Sequence, residues 1–372
     1  MNRFFQTLVF PVALLFAVSS ASSAEYPVKE TLEPHVQNGD MAGFVTIIAS
    51  KDAVLQVDVI GYRDLETKDP MTLNTVFWAA SQSKPIAGAA VMILVDEGKL
   101  SLDEPFTAYL PEFKDVRVLQ TQDEKQTVLV PLEKIPTLRQ LLSHTSGMDW
   151  GAPLHRKFGF DVLSLAEEAT VFPTVPFVAQ PGVKSHYSNM GINTAAMIVE
   201  RVSGKPYFEF LQERLFKPLG MNDTTFWPDL NRLATCYWRK ENEKKLAVKL
   251  NDRFSHPLDD PRRHPDAAAG LYSTAEDMLR FYQMLLNKGT VQGKRILSEA
   301  SVAEITKKQT GDIESSYGLG MAILTDGYGH GGTFGTSTVV RTDIDRILVY
   351  MTQEHGLPQG TPAREAFMNL AK

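Results

Sequence analysis

The chain has 372 residues, with 38 Lys and Arg against 44 Asp and Glu and a formal net charge of −6. This length is ample for a large buried core, and it predicts one large domain or two subdomains. The charges include no long run of one sign, so the sequence offers no electrostatic basis for nucleic-acid binding and favours a small-molecule partner.

Residues 1–24 have the pattern of a secretory signal peptide. Arg3 precedes an apolar stretch over 4–18, and the small residues Ser22 and Ala24 follow where a signal peptidase would cut. The alternative is an uncleaved membrane anchor, but the apolar stretch is shorter than the ~20 residues that a spanning helix needs. We therefore expect an exported protein, periplasmic or secreted, with no stable membrane insertion once the mature chain begins near Glu25.

The rest of the chain divides into a strand-rich start, a helical middle and a strand-rich end. Residues 43–65 hold two β-branched stretches around a turn at 50–52, which predicts a hairpin. The apolar spacing then becomes helical at 84–98, 137–144, 190–204 and 205–216. Strand character returns at 315–326 and 335–353, before a short helix at 361–372.

This order predicts an α/β fold of the α+β type. Residues of about 25–80 and 283–372 would build one sheet from both termini, and a mostly helical subdomain of about 81–282 would be inserted between them. Cys236 is the only cysteine, so no internal disulfide can form and core packing must stabilise the fold. A structural, semi-buried cysteine is the favoured interpretation, and a catalytic thiol is the alternative.

The stretch FWAASQSKPIAG contains the single SxxK of the chain, Ser81 and Lys84. Residues three apart at the start of a helix share a face, so the hydroxyl and the amine can approach each other. An amine can take the proton of a serine only if it is desolvated or held beside another cation. The alternative is an ordinary helix cap followed by a solvated lysine.

A second candidate lies in PGVKSHYSNMG, residues 181–191, which is a turn-rich loop leading into a helix. Tyr187 and Asn189 form the only YxN of the chain. The phenol could relay a proton between Ser81 and a leaving group, and the amide could hydrogen-bond Lys84 or a substrate carbonyl. The alternative is a loop whose tyrosine and asparagine are structural.

The third candidate is DGYGHGGTFGTSTVV, residues 326–340, interpreted as a glycine-dense turn followed by a strand. Its formal GxGxxG is no dinucleotide fingerprint, because it opens a β-branched strand instead of a helix. A backbone N–H near Thr333 could help to hold an oxyanion, with His330 at the rim of the site.

The sequence lacks the motifs of other hydrolase classes and of nucleotide-binding proteins. It contains no GxSxG, no HExxH and no P-loop. The eight histidines lack metal-ligand spacing, so we expect neither a metal nor a cofactor.

SxxK, YxN and a glycine-rich triplet, in this order, resemble the serine β-lactamase and penicillin-binding-protein superfamily. The branch that this chain is similar to contains class C β-lactamases, family VIII carboxylesterases and D-aminopeptidases. The resemblance runs from about residue 30 to 370 and includes the stretches TLRQLLSHTSGM (137–148), PGVKSHYSN (181–189) and AAAGLYSTAEDMLRF (267–281).

The resemblance implies a β-lactamase-like fold, with an antiparallel sheet flanked by helices, and a role for each motif residue. Ser81 would be the acylated nucleophile, and Lys84 and Tyr187 would share the base and acid roles. Asn189 would position the substrate, and the backbone N–H groups of Ser81 and Thr333 would form the oxyanion hole.

One departure from the superfamily bears on the substrate. The triplet His330-Gly331-Gly332 stands where the penicillin-recognising branch has Lys-Thr-Gly, so a permanent positive charge is missing. This difference favours uncharged esters or small amides as substrates. The alternatives are a β-lactamase, a D-amino-acid peptidase, an enzyme that transfers the acyl group to an alcohol or amine, and a non-catalytic binding protein like a penicillin sensor.

Overall fold

The computed structural model describes residues 26–122, 126–238, 246–248, 254–355 and 362–370. The predicted signal peptide lies outside these residues. The strands are β1 Gly43–Ala49, β2 Val54–Gly61, β3 Phe77–Trp78, β4 Arg117–Gln122, β5 Thr127–Pro131, β6 Tyr237–Trp238, β7 Ala247–Val248, β8 Tyr272–Ser273, β9 Thr290–Val291, β10 Lys294–Arg295, β11 Ala322–Leu324, β12 Gly327–Gly331, β13 Ser337–Arg341, β14 Arg346–Met351 and β15 Glu354–His355.

The helices alternate with these strands and fill most of the middle of the chain. They are α1 Val28–Gln37, α2 Ser83–Asp96, α3 Leu138–Leu142, α4 Pro153–Phe158, α5 Leu165–Val171, α6 Asn189–Ser203, α7 Tyr207–Leu211, α8 Lys217–Leu219, α9 Ala275–Leu286, α10 Glu299–Ile305 and α11 Pro362–Leu370. A π-helical segment, Gln212–Phe216, joins α7 to α8.

The central sheet has the strand order β11-β12-β13-β14-β1-β2, and every neighbouring pair is antiparallel. Strand β1 pairs with β14, with Ile47 opposite Val349, so the two ends of the chain close one sheet. The predicted hairpin, the fold class and the sheet built from both termini are therefore confirmed. The predicted boundaries between the subdomains, near residues 80 and 282, stay a prediction.

Strand β1 is buried on both faces because helices cover both sides of the sheet. Phe44 and Ile48 pack in a cluster with Leu32 of α1 and Phe367 of α11. The alternate residues of the strand, such as Ile47, point into the main core with α2, α6 and α9. Successive side chains of a strand alternate between faces, so this two-layer cover explains an uninterrupted apolar run.

Two expectations about strands and turns are wrong in detail. The segment 315–326 forms a strand only over Ala322–Leu324, and the glycine-dense turn after it is itself a strand, Gly327–Gly331. Glycine is typical of turns and uncommon inside strands, so the glycines of β12 indicated a turn although its backbone pairs with β11 and β13. The β4 and β5 hairpin also interrupts the region predicted to be helical.

Candidate active site

Ser81 lies in a single 3₁₀ turn, Ala80–Gln82, between β3 and the buried helix α2. Ala80 has a left-handed backbone with φ of 48°, which costs an L-residue roughly 1–2 kcal/mol. Ser83 Oγ donates to the Ala80 carbonyl at 2.7 Å and accepts the Leu271 N–H at 3.2 Å. These two hydrogen bonds fix the strained turn that carries Ser81, the candidate nucleophile.

Lys84 is completely buried at the first turn of α2. Its Nζ lies 3.1 Å from Ser81 Oγ and donates at 3.0 Å to the carbonyl of Ala268. The backbone of Ala268 is itself held in place, because its N–H donates to Asn193 Oδ1 at 3.1 Å. The amine is therefore desolvated and held within proton-transfer distance of the serine, which excludes a solvated lysine as the interpretation of the SxxK.

A buried polar network continues from Asn193 away from the serine. Asn193 Nδ2 reaches Glu168 Oε1 at 3.5 Å, and the same carboxylate oxygen lies 2.7 Å from Nε2 of His155. Burial raises the pKa of Glu168 to about 7, against the lowering effect of the imidazole. Burial also raises the pKa of Asp266, whose Oδ1 accepts the Ala269 N–H at 2.6 Å.

Tyr187 ends the loop before α6, and its side chain is 38% exposed. The centroid of its ring lies 4.5 Å from Lys84 Nζ, so the face of the ring contacts the amine. Within the described residues no hydrogen bond joins its hydroxyl to Ser81 or Lys84. The structure therefore brings the three predicted catalytic residues together, and the relay through the Tyr187 hydroxyl stays a prediction.

Asn189 is the first residue of α6 and is 5% exposed. Its backbone N–H donates to the Trp150 carbonyl at 2.9 Å, and its Oδ1 has no hydrogen-bond partner in the described part of the chain. The predicted hydrogen bond to Lys84 is not formed. The other alternative, contact with a substrate group, stays a prediction.

The glycine-rich edge lies against the turn that carries Ser81. Gly332 N–H donates to the Thr336 carbonyl at 2.7 Å, and Thr336 Oγ1 donates to the Ala79 carbonyl at 3.3 Å. A Cβ on Gly332 would lie 2.5 Å from that same Ala79 oxygen. Among the residues described, the N–H groups of Ser81 and Thr333 donate no hydrogen bond, and their predicted role as an oxyanion hole stays a prediction.

His330 is buried, so its predicted place at the rim of the site is wrong. Its Nδ1 lies 2.7 Å from the Gly331 carbonyl, which can only accept, and its Nε2 lies 2.6 Å from the Tyr317 hydroxyl. Burial, with the positive charge of Lys84, lowers the pKa of His330 to about 3. The imidazole is therefore neutral near pH 7, with both nitrogens engaged, and substrate binding by His330 stays a prediction.

Four residues of the site were missed by the sequence analysis: Ser83, His144, Asn193 and Ala268. Asn193 had a recognisable pattern, since it lies four residues after Asn189 on the same helix face. Ala268 had none, because it contributes a backbone carbonyl that any residue would supply. His144 lies in the quoted stretch TLRQLLSHTSGM but received no role there.

Cys236 is half-buried, and its thiol donates to Gln353 Oε1 at 3.3 Å. Burial raises the pKa of this thiol to about 12, so very little thiolate exists near pH 7. No helix in the parts of the chain described has the length and apolar character to cross a membrane. No three His, Cys, Asp or Glu side chains converge there as metal ligands would.

The chain matches the family model described as Beta-lactamase over residues 28–371. It belongs to the Beta-lactamase family. The strained turn at Ser81 and the buried Lys84 lie within the matched region, and membership of the family makes the chain a serine hydrolase.

Relatives of the chain include enzymes and proteins named only by locus. Protein Rv1367c of Mycobacterium tuberculosis (strain ATCC 25618 / H37Rv) is 34% identical over 355 residues, covering 85% of this chain and 86% of that protein. Esterase EstB of Burkholderia gladioli is 30% identical over 267 residues, covering 64% of each. The solved structure of "EstCE1, a hydrolase with promiscuous acyltransferase activity" has a TM-score of 0.77 at 23% identity and covers 92% of this chain and 97% of that one, which shows the shared fold.

Proposed function

We propose that this chain is an exported serine hydrolase that is acylated on Ser81 and releases the acyl group to water. Carboxylic esters or small amides are the proposed substrates. The observation that carries the proposal is the 3.1 Å contact between Lys84 Nζ and Ser81 Oγ, made by an amine with no exposure to solvent. A base ordered at this distance from a hydroxyl is what nucleophilic catalysis by serine requires.

In the proposed acylation step, Ser81 Oγ attacks the substrate carbonyl carbon while its proton passes to the pair formed by Lys84 and Tyr187. The oxyanion accepts hydrogen bonds from the N–H groups of Ser81 and Thr333. When the carbonyl re-forms, the leaving alkoxide or amine takes a proton from the Tyr187 hydroxyl, which regains one from Lys84. Catalytic contacts often tighten only when substrate is bound, so the ring-face contact of the free enzyme is compatible with this relay.

In the proposed deacylation step, water attacks the Ser81 ester, and Lys84 with Tyr187 takes its proton and returns one to Ser81 Oγ. The carboxylic acid leaves and the starting protonation state is restored. Asn189, with a buried amide whose Oδ1 is unpaired, is proposed to orient the substrate. Gly332 packs against the Ala79 carbonyl beside the serine turn, and the next residue along this edge, Thr333, is proposed to supply the second oxyanion donor.

The preference for uncharged substrates is supported by the state of His330. A β-lactam or a peptide terminus presents a carboxylate, and a neutral, buried imidazole with both nitrogens engaged offers that carboxylate no cation. An uncharged ester needs no such partner. The esterase name of the relative EstB agrees with this preference.

The proposal is tested by intact-mass measurement of the purified protein after exposure to a fluorophosphonate and to p-nitrophenyl butyrate. We expect one adduct, mapped to Ser81, and ester turnover that Ser81→Ala and Lys84→Met abolish. Lys184→Met is the matched control, because this lysine is exposed.

Three results would contradict the proposal or redirect it. An adduct that persists in Ser81→Ala would show that Ser81 is not the nucleophile. Nitrocefin or D-alanyl amide turnover well above ester turnover reverses the order of substrates. Stoichiometric labelling without turnover favours a penicillin-sensor-like binding protein.

Export is proposed on the sequence of residues 1–24 alone. Expression of the full chain in a bacterial host, followed by N-terminal sequencing of the periplasmic and secreted fractions, tests it. We expect a mature terminus near Glu25. An intact Met1 terminus confined to the cytoplasm contradicts export and leaves the proposed chemistry unaffected.

A further inference from the structure

His144 contacts the loop around Tyr187 in three ways. Its backbone carbonyl accepts the N–H of His186 at 2.8 Å, and its Nδ1 accepts the N–H of Ser188 at 3.1 Å. The centroid of its ring also lies 4.3 Å from that of the Tyr187 ring, at an angle of 42°. The two residues that flank Tyr187, and the tyrosine itself, are therefore held by one side chain and its own backbone.

The position of the Tyr187 side chain depends on such neighbours, because the side chain is partly exposed and its hydroxyl does not anchor it. Its side chain is 38% exposed, and its hydroxyl makes no hydrogen bond within the described residues. The ring contacts that the structure gives it are Lys84 at 4.5 Å, His144 at 4.3 Å and Tyr317 at 6.4 Å. Of these three neighbours, only His144 also bonds the backbone on either side of the tyrosine.

The conformation and protonation state of His144 fit this task. It is 1% exposed and adopts a left-handed backbone with φ of 60°, which directs its carbonyl and its ring to the same loop. An imidazole that accepts at Nδ1 is neutral and carries its proton on Nε2. Burial, with the positive charge of Lys84, lowers the pKa of His144 well below its usual value, so the acceptor persists.

We propose that His144 is a positioning residue, which holds the Tyr187 ring over the Lys84 amine and acts on the reaction only through Tyr187. This inference rests on the proposed function, because it gives the tyrosine its part in acylation and deacylation. His144 itself touches neither the substrate nor the serine in this account. Its loss therefore lowers kcat by misplacing the phenol, with little change in KM.

The test is a double-mutant cycle on ester turnover with His144→Ala and Tyr187→Phe. Phenylalanine keeps the ring and its packing and removes only the hydroxyl. We expect His144→Ala to lower kcat roughly 10- to 100-fold in the wild-type background, in line with the cost of a misplaced catalytic group. In the Tyr187→Phe background we expect it to lower kcat less than 3-fold.

His144→Asn is the rescue variant, because asparagine tolerates the left-handed backbone and offers Oδ1 as an acceptor for the Ser188 N–H. We expect it to keep most of the kcat that His144→Ala loses. It also keeps the test usable if His144→Ala does not fold. Leu142→Ala controls for destabilisation, since it empties a fully buried position nearby in α3 and should lower Tm without changing kcat in proportion.

Two results overturn the inference. One is a loss of rate by His144→Ala that is as large in the Tyr187→Phe background as in the wild type. The other is a kcat of His144→Ala equal to that of the wild type, in a protein whose turnover still requires Ser81. Failure of the proposed function looks different, because Ser81→Ala would then keep its adduct or its turnover whatever stands at position 144.

Discussion

The contact between Gly332 and Ala79 yields the sharpest prediction from this structure. The Ala79 carbonyl lies two residues before Ser81 and accepts the Thr336 hydroxyl, while Gly332 packs directly against it. In Gly332→Ala the new Cβ would lie 2.5 Å from the Ala79 oxygen and still closer to Thr336 Oγ1. One of the facing atoms is backbone, so a side-chain rotation cannot relieve the overlap.

An ordinary contact between a carbon and an oxygen needs about 3.4 Å, so the glycine-rich edge and the serine turn must separate by about 1 Å. Such a displacement moves the Thr333 N–H away from the proposed oxyanion position. Misplacement of this size, like the loss of one oxyanion donor, costs roughly a hundredfold in kcat, or about 2.7 kcal/mol of transition-state stabilisation. The crowded packing should also lower the free energy of unfolding by about 1–3 kcal/mol.

The assay is steady-state hydrolysis of p-nitrophenyl butyrate together with urea denaturation. Gly331→Ala is the matched control from the same edge, because a Cβ there meets the Thr336 carbonyl at 3.6 Å and Arg364 Nη1 at 3.9 Å, which are ordinary contacts. We expect Gly331→Ala to stay within 3-fold of the wild type. A Gly332→Ala variant within 3-fold of the wild type, or equal losses in both variants, would refute the reasoning.

Three further predictions concern Ser83, His330 and Cys236. Ser83→Ala leaves the buried Leu271 N–H without its acceptor and removes the donor to the Ala80 carbonyl. We therefore expect the free energy of unfolding, measured by urea denaturation, to fall by about 1–3 kcal/mol. A loss below about 0.5 kcal/mol would contradict this. Below about pH 6.5 the unfolded chain protonates His330 whereas the folded chain does so only near pH 3, so this histidine lowers stability as pH falls through that window. The stability advantage of the wild type over His330→Gln should therefore shrink by about 1 kcal/mol between pH 7 and 5.5, and a constant difference would rule out a neutral, buried imidazole. The Cys236 thiol should react with Ellman's reagent far more slowly in the folded protein than in urea. Cys236→Ala should keep full esterase activity. Fast labelling of the folded protein would show that burial does not suppress the thiolate of Cys236.

The sequence by itself determined the chemical groups and the local geometry of the site. Ser81 and Lys84 are three residues apart at the start of a helix, a spacing that allows their side chains to approach each other. The hairpin over 43–65 and the strands of 335–353 followed from period-2 patterns that are equally local. The glycine-rich strand β12 escaped because its three glycines are typical of turns, although Tyr328 and His330 alternate with them.

Only the tertiary structure decided which distant groups meet and how deeply they are buried. Lys84 is ordered by the carbonyl of Ala268, 184 positions away, and every residue carries a carbonyl, so no composition or spacing marks it. His330 is neutral because the fold buries it beside a cation, and a sequence contains no measure of burial. Tyr187 faces the amine because His144 holds its loop from 43 residues away, a contact that exists only once the sheet and the helices have packed.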